Sequence, residues 1–360
     1  MRKKYVVVGS LLVFVSLVVF ESVFEGQIAE WFQQNVSIEE ETLEVEEAST
    51  FVVESTESHK ELLPSFKEHE RFIGLSSESI LEEFGDPERI DMSAYGYDWW
   101  IYPDSNSSYM QIGIENDEVV TVFLTGDLRG QSLSLGQTYH EINDMLQFKE
   151  KVNVSSSDGG MYQFELTKED LEMRPLGKVD DVWVQFYFDT YTEKLSSLRI
   201  VKDDVLIKQR PYSVSYRGAP PERPTFTDEE WAKIEEGNAK QIFDFTNMIR
   251  SRHELDPFQW EVKVSSVAYL HSKDMSENGY FSHTSPNYGE VSDRFERGDV
   301  PFMLAGENIA AKYVDGVASV EGWLNSEGHR VNLLHEEFTH LGVGVYREHY
   351  TQNFMTPWQS

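Results

Sequence analysis

Apolar positions open the chain as a block, with Tyr5 to Phe20 almost uninterrupted behind Arg2, Lys3 and Lys4. Basic residues ahead of such a run predict a secretory signal or a signal anchor. The run passes into Glu21, Phe24 and Glu25 without a small-x-small cleavage site, which favours an uncleaved transmembrane anchor over residues 1–25. With the basic flank held in the cytoplasm, the bulk of the chain lies outside the cell, and a cleaved signal would leave it secreted. Residues 26–66, as in "VSIEEETLEVEEAST", are acidic and lose all sustained periodicity, so they read as an extended tether.

Periodicity returns in residues 67–218, and it returns twice. "IGLSSESILEEFGDPERI" places Ile80, Leu81 and Phe84 at helical spacing and stops at Gly85 and Pro87. Strand-like "YDWWIYP" follows, then "YMQIGIENDEVVTVFLTG", which alternates around an Asn116-Asp117 turn. The second half keeps this order, with "LSLGQTYHEINDMLQF" as helix, "GMYQFEL" as strand and "VWVQFYFDTYTEKLSSLRIV" as hairpin. Two copies of a helix followed by antiparallel strands predict a pseudo-duplicated α+β domain. Trp99, Trp100, Tyr102 and Tyr109 either line a groove or pack a small sheet. Pro220, Pro221 and Pro224 bar a continuous helix or central strand, which makes residues 219–232 a joint and puts a domain boundary near residue 220.

In residues 233–360 the helical period is clearer. Ile242, Phe245 and Ile249 mark one helix, and Val264, Val267, Ala268, His271 and Met275 mark a second that Asn278-Gly279 closes. His271 therefore lies on an apolar stripe, where a buried histidine held by a hydrogen bond is expected. His283 falls in the loop "YFSHTSP", and Glu307 stands beside Gly306 in "AGENIAAKY". In "WLNSEGHRVNLL", Val320 and Leu324 continue a helix, Gly328 is the expected stop, and His329 and Arg330 stand where the chain turns. "THLGVGVY" and "YTQNFM" read as closing strands, with His340 a structural position before the first.

Composition narrows the chemistry. Of 360 residues 40% are hydrophobic, enough for two or more cores. With 63 acids against 31 bases the net charge is -32, which excludes a nucleic-acid partner because too few bases remain to displace counterions from phosphates. No cysteine is present, so disulfides and thiolate chemistry are excluded, and any metal must be held by His, Asp or Glu.

"HSKDMSENGYFSHTSP", "AGENIA", "WLNSEGHRVNLL", "FTHLGVGVY" and "YTQNF" together resemble the bacterial branch of the CAP superfamily, named for cysteine-rich secretory proteins, antigen 5 and pathogenesis-related 1 proteins. The likeness covers residues 235–356. The first globular region, with "YGYDWWIY", looks like the domain that accompanies such modules in membrane-anchored, cell-envelope proteins of Gram-positive bacteria. The resemblance implies an α-β-α sandwich with a cleft of two histidines and two acids. The first histidine falls on His283, the first acid on Glu307 and the second histidine on His329. The second acid falls near Ser326, which cannot carry its charge, so Glu327 or Glu321 would have to turn inward instead.

His283, His329 and Glu307 are a suitable partial shell for zinc or another divalent ion. They suit acid-base work near neutral pH equally well. One reading is a binding module whose cleft takes a lipid, a peptide or a cell-envelope component, with Ser326 as a hydrogen-bonding member. A second is a hydrolase, either through metal-bound water or through Ser282, Ser285 or Ser326 as nucleophile with His283 or His329 as base and Glu307 as orienting acid. No Gly-x-Ser-x-Gly elbow supports the serine version. A third is a structural envelope protein whose histidines only knit loops together. Arg330 either pairs with an acid behind the cleft, fixing the turn that aims His329, or forms an exposed bridge of little value.

Overall fold

Ser76 begins the first helix by accepting from Ser79 N at 3.2 Å, and α1 (Ser77–Phe84) then ends at Gly85 with φ 77°. The computed structural model describes residues 72–358 apart from 105–107, 129–130, 133–135 and 218–222. The expected anchor and tether lie outside the described residues, and among these no helix is long and apolar enough to cross a membrane.

After α1 come β1 (Arg89–Met92), β2 (Asp98–Asp104), β3 (Ser108–Glu115), β4 (Glu118–Thr125) and the two-residue strands β5 (Asp127–Leu128) and β6 (Gln131–Ser132). The second half adds α2 (Tyr139–Leu146), β7 (Lys151–Ser155), β8 (Met161–Glu165), α3 (Lys168–Met173), β9 (Leu176–Val179), β10 (Val182–Asp189), β11 (Lys194–Val201), α4 (Asp203–Gln209) and β12 (Ser213–Arg217). Asn116 and Asp117 both take positive φ, 52° and 65°, as a tight β3–β4 hairpin requires.

The main sheet is antiparallel in the order β1-β2-β3-β4-β11-β10-β9, so the hairpins of the two halves meet at its centre. The duplication is less regular than the sequence suggests. "YDWWIYP" is β2 of this sheet, but its expected counterpart "GMYQFEL" is β8, which joins a separate sheet in the order β12-β8-β7. β9 occupies the matching position beside β10. Alternation explains the departure, since β8 buries Tyr162 and Phe164 on one face only and suits a small two-sided layer.

Both faces of the main sheet are buried. One carries Met110, Ile112, Val122, Leu124, Val184 and Phe186, packed against Ile80 of α1 and Ile142 of α2. The other carries Tyr109, Phe123 and Tyr187 together with buried Gln111, Gln185, Ser197 and Arg199. Trp99 and Tyr109 are core residues at 1% exposure, while Trp100 and Tyr102 are partly buried, so these aromatics pack the sheet.

The remaining elements are α5 (Asp228–Arg252), β13 (Gln259–Trp260), α6 (Val262–Asn278), α7 (Val291–Arg297), β14 (Phe302–Ala311), α8 (Gly316–Leu324), α9 (Glu327–Leu333), β15 (His340–Tyr346) and β16 (His349–Pro357). Thr227 and Glu230 form a reciprocal capping box at the start of α5. β13-β15-β16-β14 form one sheet with helices on both faces. Leu341, Val343 and Val345 of β15 join the cluster of Phe245 on α5 and Trp323 on α8. Between them, Gly342 and Gly344 face α6, where a Cβ would collide with the backbone at Ser265 and Tyr269. That alternation of branched residues and glycines is the physical basis of the α-β-α sandwich.

All described residues belong to one compact unit. The mixed face of the main sheet meets this sandwich directly, with Phe123 edge-on to Phe245 at 5.2 Å and Tyr95 Oη donating to Val314 O at 3.0 Å. Arg199 of β11 is fully buried and pairs with Asp315, the N-cap of α8, at 2.7 Å. An ion pair at that depth is tolerable only because each partner cancels the other's charge.

Candidate functional site

Three segments bring the predicted residues together. The loop after α6 supplies His283, β14 supplies Glu307, and the break between α8 and α9 supplies Ser326 and runs into α9, which supplies His329. Gly328 is not the stop that periodicity suggests. α8 ends at Leu324 with Asn325 as its C-cap, Ser326 adopts an extended conformation (φ -113°, ψ 121°), and Gly328 lies in the first turn of α9. His329 is thus a helical residue.

Glu307 is the hub. It is buried on β14, with His283 Nδ1 3.0 Å from its Oε1 and Arg294 Nη2 donating to its Oε2. Arg294, from α7, is itself 5% exposed and also donates to the carbonyls of His283, at 2.9 Å, and Gly289, at 2.6 Å. His271 is buried as expected, with Nε2 3.1 Å from Ser282 O, but it also lies 3.8 Å from Glu307 Oε1. Burial holds its imidazole below the ordinary histidine range, against the pull of Glu307.

The imidazoles of His283 and His329 lie with ring centroids 6.2 Å apart, tilted by 38°. His329 Nδ1 lies 2.8 Å from Ser326 Oγ, a hydrogen bond that brings Ser326 into the histidine cluster. Burial and, after it, the neighbouring His283 lower the pKa of His329. Asn332 Nδ2 donates to Glu307 O at 3.1 Å and Asn308 Nδ2 to His329 O at 3.1 Å, fastening β14 to α9.

Neither replacement for the second acid turns inward. Glu327 is exposed at the start of α9. Glu321 points away from the cleft into the contact with the main sheet, where its Oε1 accepts from Ser196 Oγ at 2.9 Å and from Ser197 Oγ. The helical offset from Trp323, whose indole donates to Ile309 O at 3.0 Å, aims position 321 at that sheet. Burial pushes Glu321 up to about 7, opposed by the two serine hydrogen bonds and Arg252.

The serine candidates divide similarly. Ser285 is buried and donates to Asp274 Oδ2 at 2.7 Å, while Ser282 Oγ accepts from Thr284 N at 3.1 Å. Ser326 touches His329, but Glu307 touches His283, so serine and acid engage different rings. A triad needs one imidazole between the two. His340 Nδ1 lies 2.8 Å from Thr339 Oγ1 at the head of β15, a structural position. Arg330 pairs bidentately with Asp189 of β10 at 2.9 and 3.0 Å, both side chains largely buried, so the exposed-bridge alternative does not apply.

The donor set limits a metal. Both oxygens of Glu307 are engaged, and each Nδ1 of His283 and His329 has a partner, which leaves one Nε2 on each ring. Among the described residues no three His, Asp or Glu side chains form a group arranged to hold a metal. Two imidazoles fit an ion as half of a tetrahedral shell, with the Glu307–His283 contact as outer support.

Arg294, His271, Asn308 and Asn332 are the members that sequence reasoning missed. Arg294 sits in "VSDRFERGD", where alternating charges look like a solvated helix face. No local spacing distinguishes it from Arg297, which is exposed.

Residues 73–212 match the family model for the CAP-associated N-terminal domain, and residues 243–356 match that of the cysteine-rich secretory protein family, CAP. The chain is 47% identical over 288 residues to the Bacillus subtilis protein called uncharacterized membrane protein YlbC, covering 80% of this chain and 83% of that one. Among solved structures, an extracellular protein containing an SCP domain from Bacillus anthracis superposes with a TM-score of 0.74 at 41% identity, covering 88% of this chain and 99% of that one. A cysteine-rich secretory protein from Staphylococcus aureus gives 0.70 at 22% identity over 79% of this chain and 91% of its own, a likeness of fold.

Proposed function

Because this chain belongs to the CAP family and carries the CAP-associated N-terminal domain, we propose that it is an extracellular, membrane-anchored binding protein. Its cleft at His283 and His329 takes an amphipathic cell-envelope ligand, a lipid or a peptide. The names of the relatives, a membrane protein in one case and an extracellular protein in the other, support that location.

The observation that carries the reading is the pairing in the cleft. Ser326 is joined to one imidazole and Glu307 to the other, and Arg294 neutralises Glu307. This arrangement presents two hydrogen-bonding Nε2 edges and divides the serine and the acid between different rings. Recognition then rests on hydrogen bonds at the imidazoles.

A divalent ion, where bound, would be held by His283 and His329 and would supply a Lewis-acidic contact for a ligand oxygen. The chain's own groups orient the rings: Glu307 fixes His283, and Ser326 fixes His329. Calorimetric titration of zwitterionic lipid vesicles and an extended-peptide panel into the wild type and the His283→Ala/His329→Ala variant tests the function. Binding to the wild type that the folded double variant loses supports it. Equal binding by both, or cleavage of the peptides by the wild type alone, contradicts it.

A further inference from the structure

The turn that carries His329 is built partly from the other half of the molecule. Between α8 and α9 only Asn325 and Ser326 redirect the chain, and Asn325 spends its side chain on the β10–β11 hairpin. Its Oδ1 accepts from Thr190 N and Thr190 Oγ1, both at 2.8 Å, and its Nδ2 donates to Phe188 O at 2.8 Å. One turn along α9, Arg330 makes its bidentate pair with Asp189, donates to Leu324 O at 3.0 Å and lies 4.7 Å from the Tyr191 ring centroid. On the other side of the break, Glu321 of α8 accepts from Ser196 and Ser197 on the return strand.

The hairpin from Phe188 to Ser197 therefore grips the helix break at three points. Asn325 precedes Ser326, and Ser326 Oγ is the hydrogen-bond partner of His329 Nδ1. Arg330 follows His329 directly. β14 also reaches this turn, through Asn308 Nδ2 on His329 O at 3.1 Å, whereas His283 is held from α7 and β14 through Arg294 and Glu307. The two histidines thus share β14 as a support, and the helix of His329 alone is also held from the N-terminal domain. A bidentate arginine contact fixes direction as well as distance, so it transmits the hairpin's position to α9.

We propose that the β10–β11 hairpin of the N-terminal domain is a positioning clamp for His329, with Asp189 and Thr190 as its positioning residues. The proposal gives the accompanying domain a role in cleft recognition and in that sense rests on the binding reading. Whatever displaces the hairpin opens the imidazole pair from one side only.

The test reads the histidines directly in the full chain and needs no ligand. Side-chain NMR correlations of His283 and His329 are compared in the wild type, Asp189→Ala, the milder Thr190→Val, and the charge swap Asp189→Arg/Arg330→Asp. The expected result is that His329 resonances shift and the ring-to-ring nuclear Overhauser effect with His283 weakens in Asp189→Ala and, to a smaller degree, in Thr190→Val. His283 correlations to the Glu307 side stay in place, and the charge swap returns His329 toward its wild-type position. Unchanged His329 resonances in both single variants overturn the clamp. Equal movement of both histidines also overturns it, because that reports general loosening. Should Asp189→Ala not fold, Thr190→Val alone decides. Failure of ligand binding with His329 still moving would remove the binding reading and leave the clamp intact.

Discussion

At the residue scale Glu307 and Arg294 set the character of the cleft. Both are nearly fully buried, and each relies on the other to offset the cost of losing water. Arg294→Ala leaves the carboxylate buried beside two histidines, and the expected loss is about 3–5 kcal/mol in urea unfolding. Adding Glu307→Gln to that variant removes the stranded charge and recovers part of the loss. A single-variant loss below 1 kcal/mol would show that the pair is not the cleft's support.

The lone nitrogens are a residue-scale matter too. With only two free Nε2 atoms, zinc affinity is expected to fall well below that of a four-ligand structural site. Titration calorimetry against His283→Ala checks this. Tight binding that survives the substitution would place the ion elsewhere.

At the element scale the consequences of the two glycine types differ in sign. Gly344 of β15 packs so closely on α6 that a Cβ would meet the backbone of Tyr269, and Gly344→Ala is expected to cost several kcal/mol, about 3 or more, or to prevent folding. Gly328 has open space around its Cβ position and lies within α9. Gly328→Ala is therefore expected to raise stability by about 0.5–1 kcal/mol, measured by thermal unfolding. A loss there would mean that Gly328 ends a helix after all.

These two residues also show where the sequence is legible. The alternation Leu341, Gly342, Val343, Gly344, Val345 is local, so strand and packing face follow from it directly. The helices with side-chain N-caps at Ser76, Thr227 and Asp315 are likewise written in adjacent residues. The end of α8 is not, because Asn325 stops it with partners more than 130 residues away. Arg294 and the orientation of Glu321 were hidden for the same reason. His283, Glu307 and His329 could be named only by resemblance, and the distances that join them are tertiary.

At the scale of the whole molecule, the main sheet shows a polar face because that face is an internal contact. Gln111, Gln185, Ser197 and Arg199 look like solvated strand positions and are in fact buried, Ser197 and Arg199 against Glu321 and Asp315 at α8 and Gln185 against Tyr212. Glu321 lies in this contact with Ser196 and Ser197 as partners, and with Arg252 and Asp189 as the nearest charges acting on it.

Its carboxyl is raised from an ordinary 4.5 to about 7, so the folded chain holds that proton more tightly than the unfolded one. The stabilisation is therefore complete below about pH 4.5 and is lost as pH rises through about 7. The difference corresponds to an order of magnitude of about 3 kcal/mol. Glu321→Gln, which stays neutral, is expected to flatten the decline of stability between pH 5 and about 8 and to be the more stable protein at the upper end. Parallel pH profiles for the two proteins would contradict this.

The central claim is that the His283–His329 pair is a recognition site whose two Nε2 edges await a ligand. Nitrogen-15 side-chain spectra of both histidines, recorded before and after addition of a lipid or peptide found to bind, test it most directly. The account predicts that Nε2 of His283 and His329 shift together on binding, while Nδ1 of His283 keeps the signature of its contact with Glu307. Binding that leaves both Nε2 resonances unmoved would place the ligand elsewhere and contradict the account.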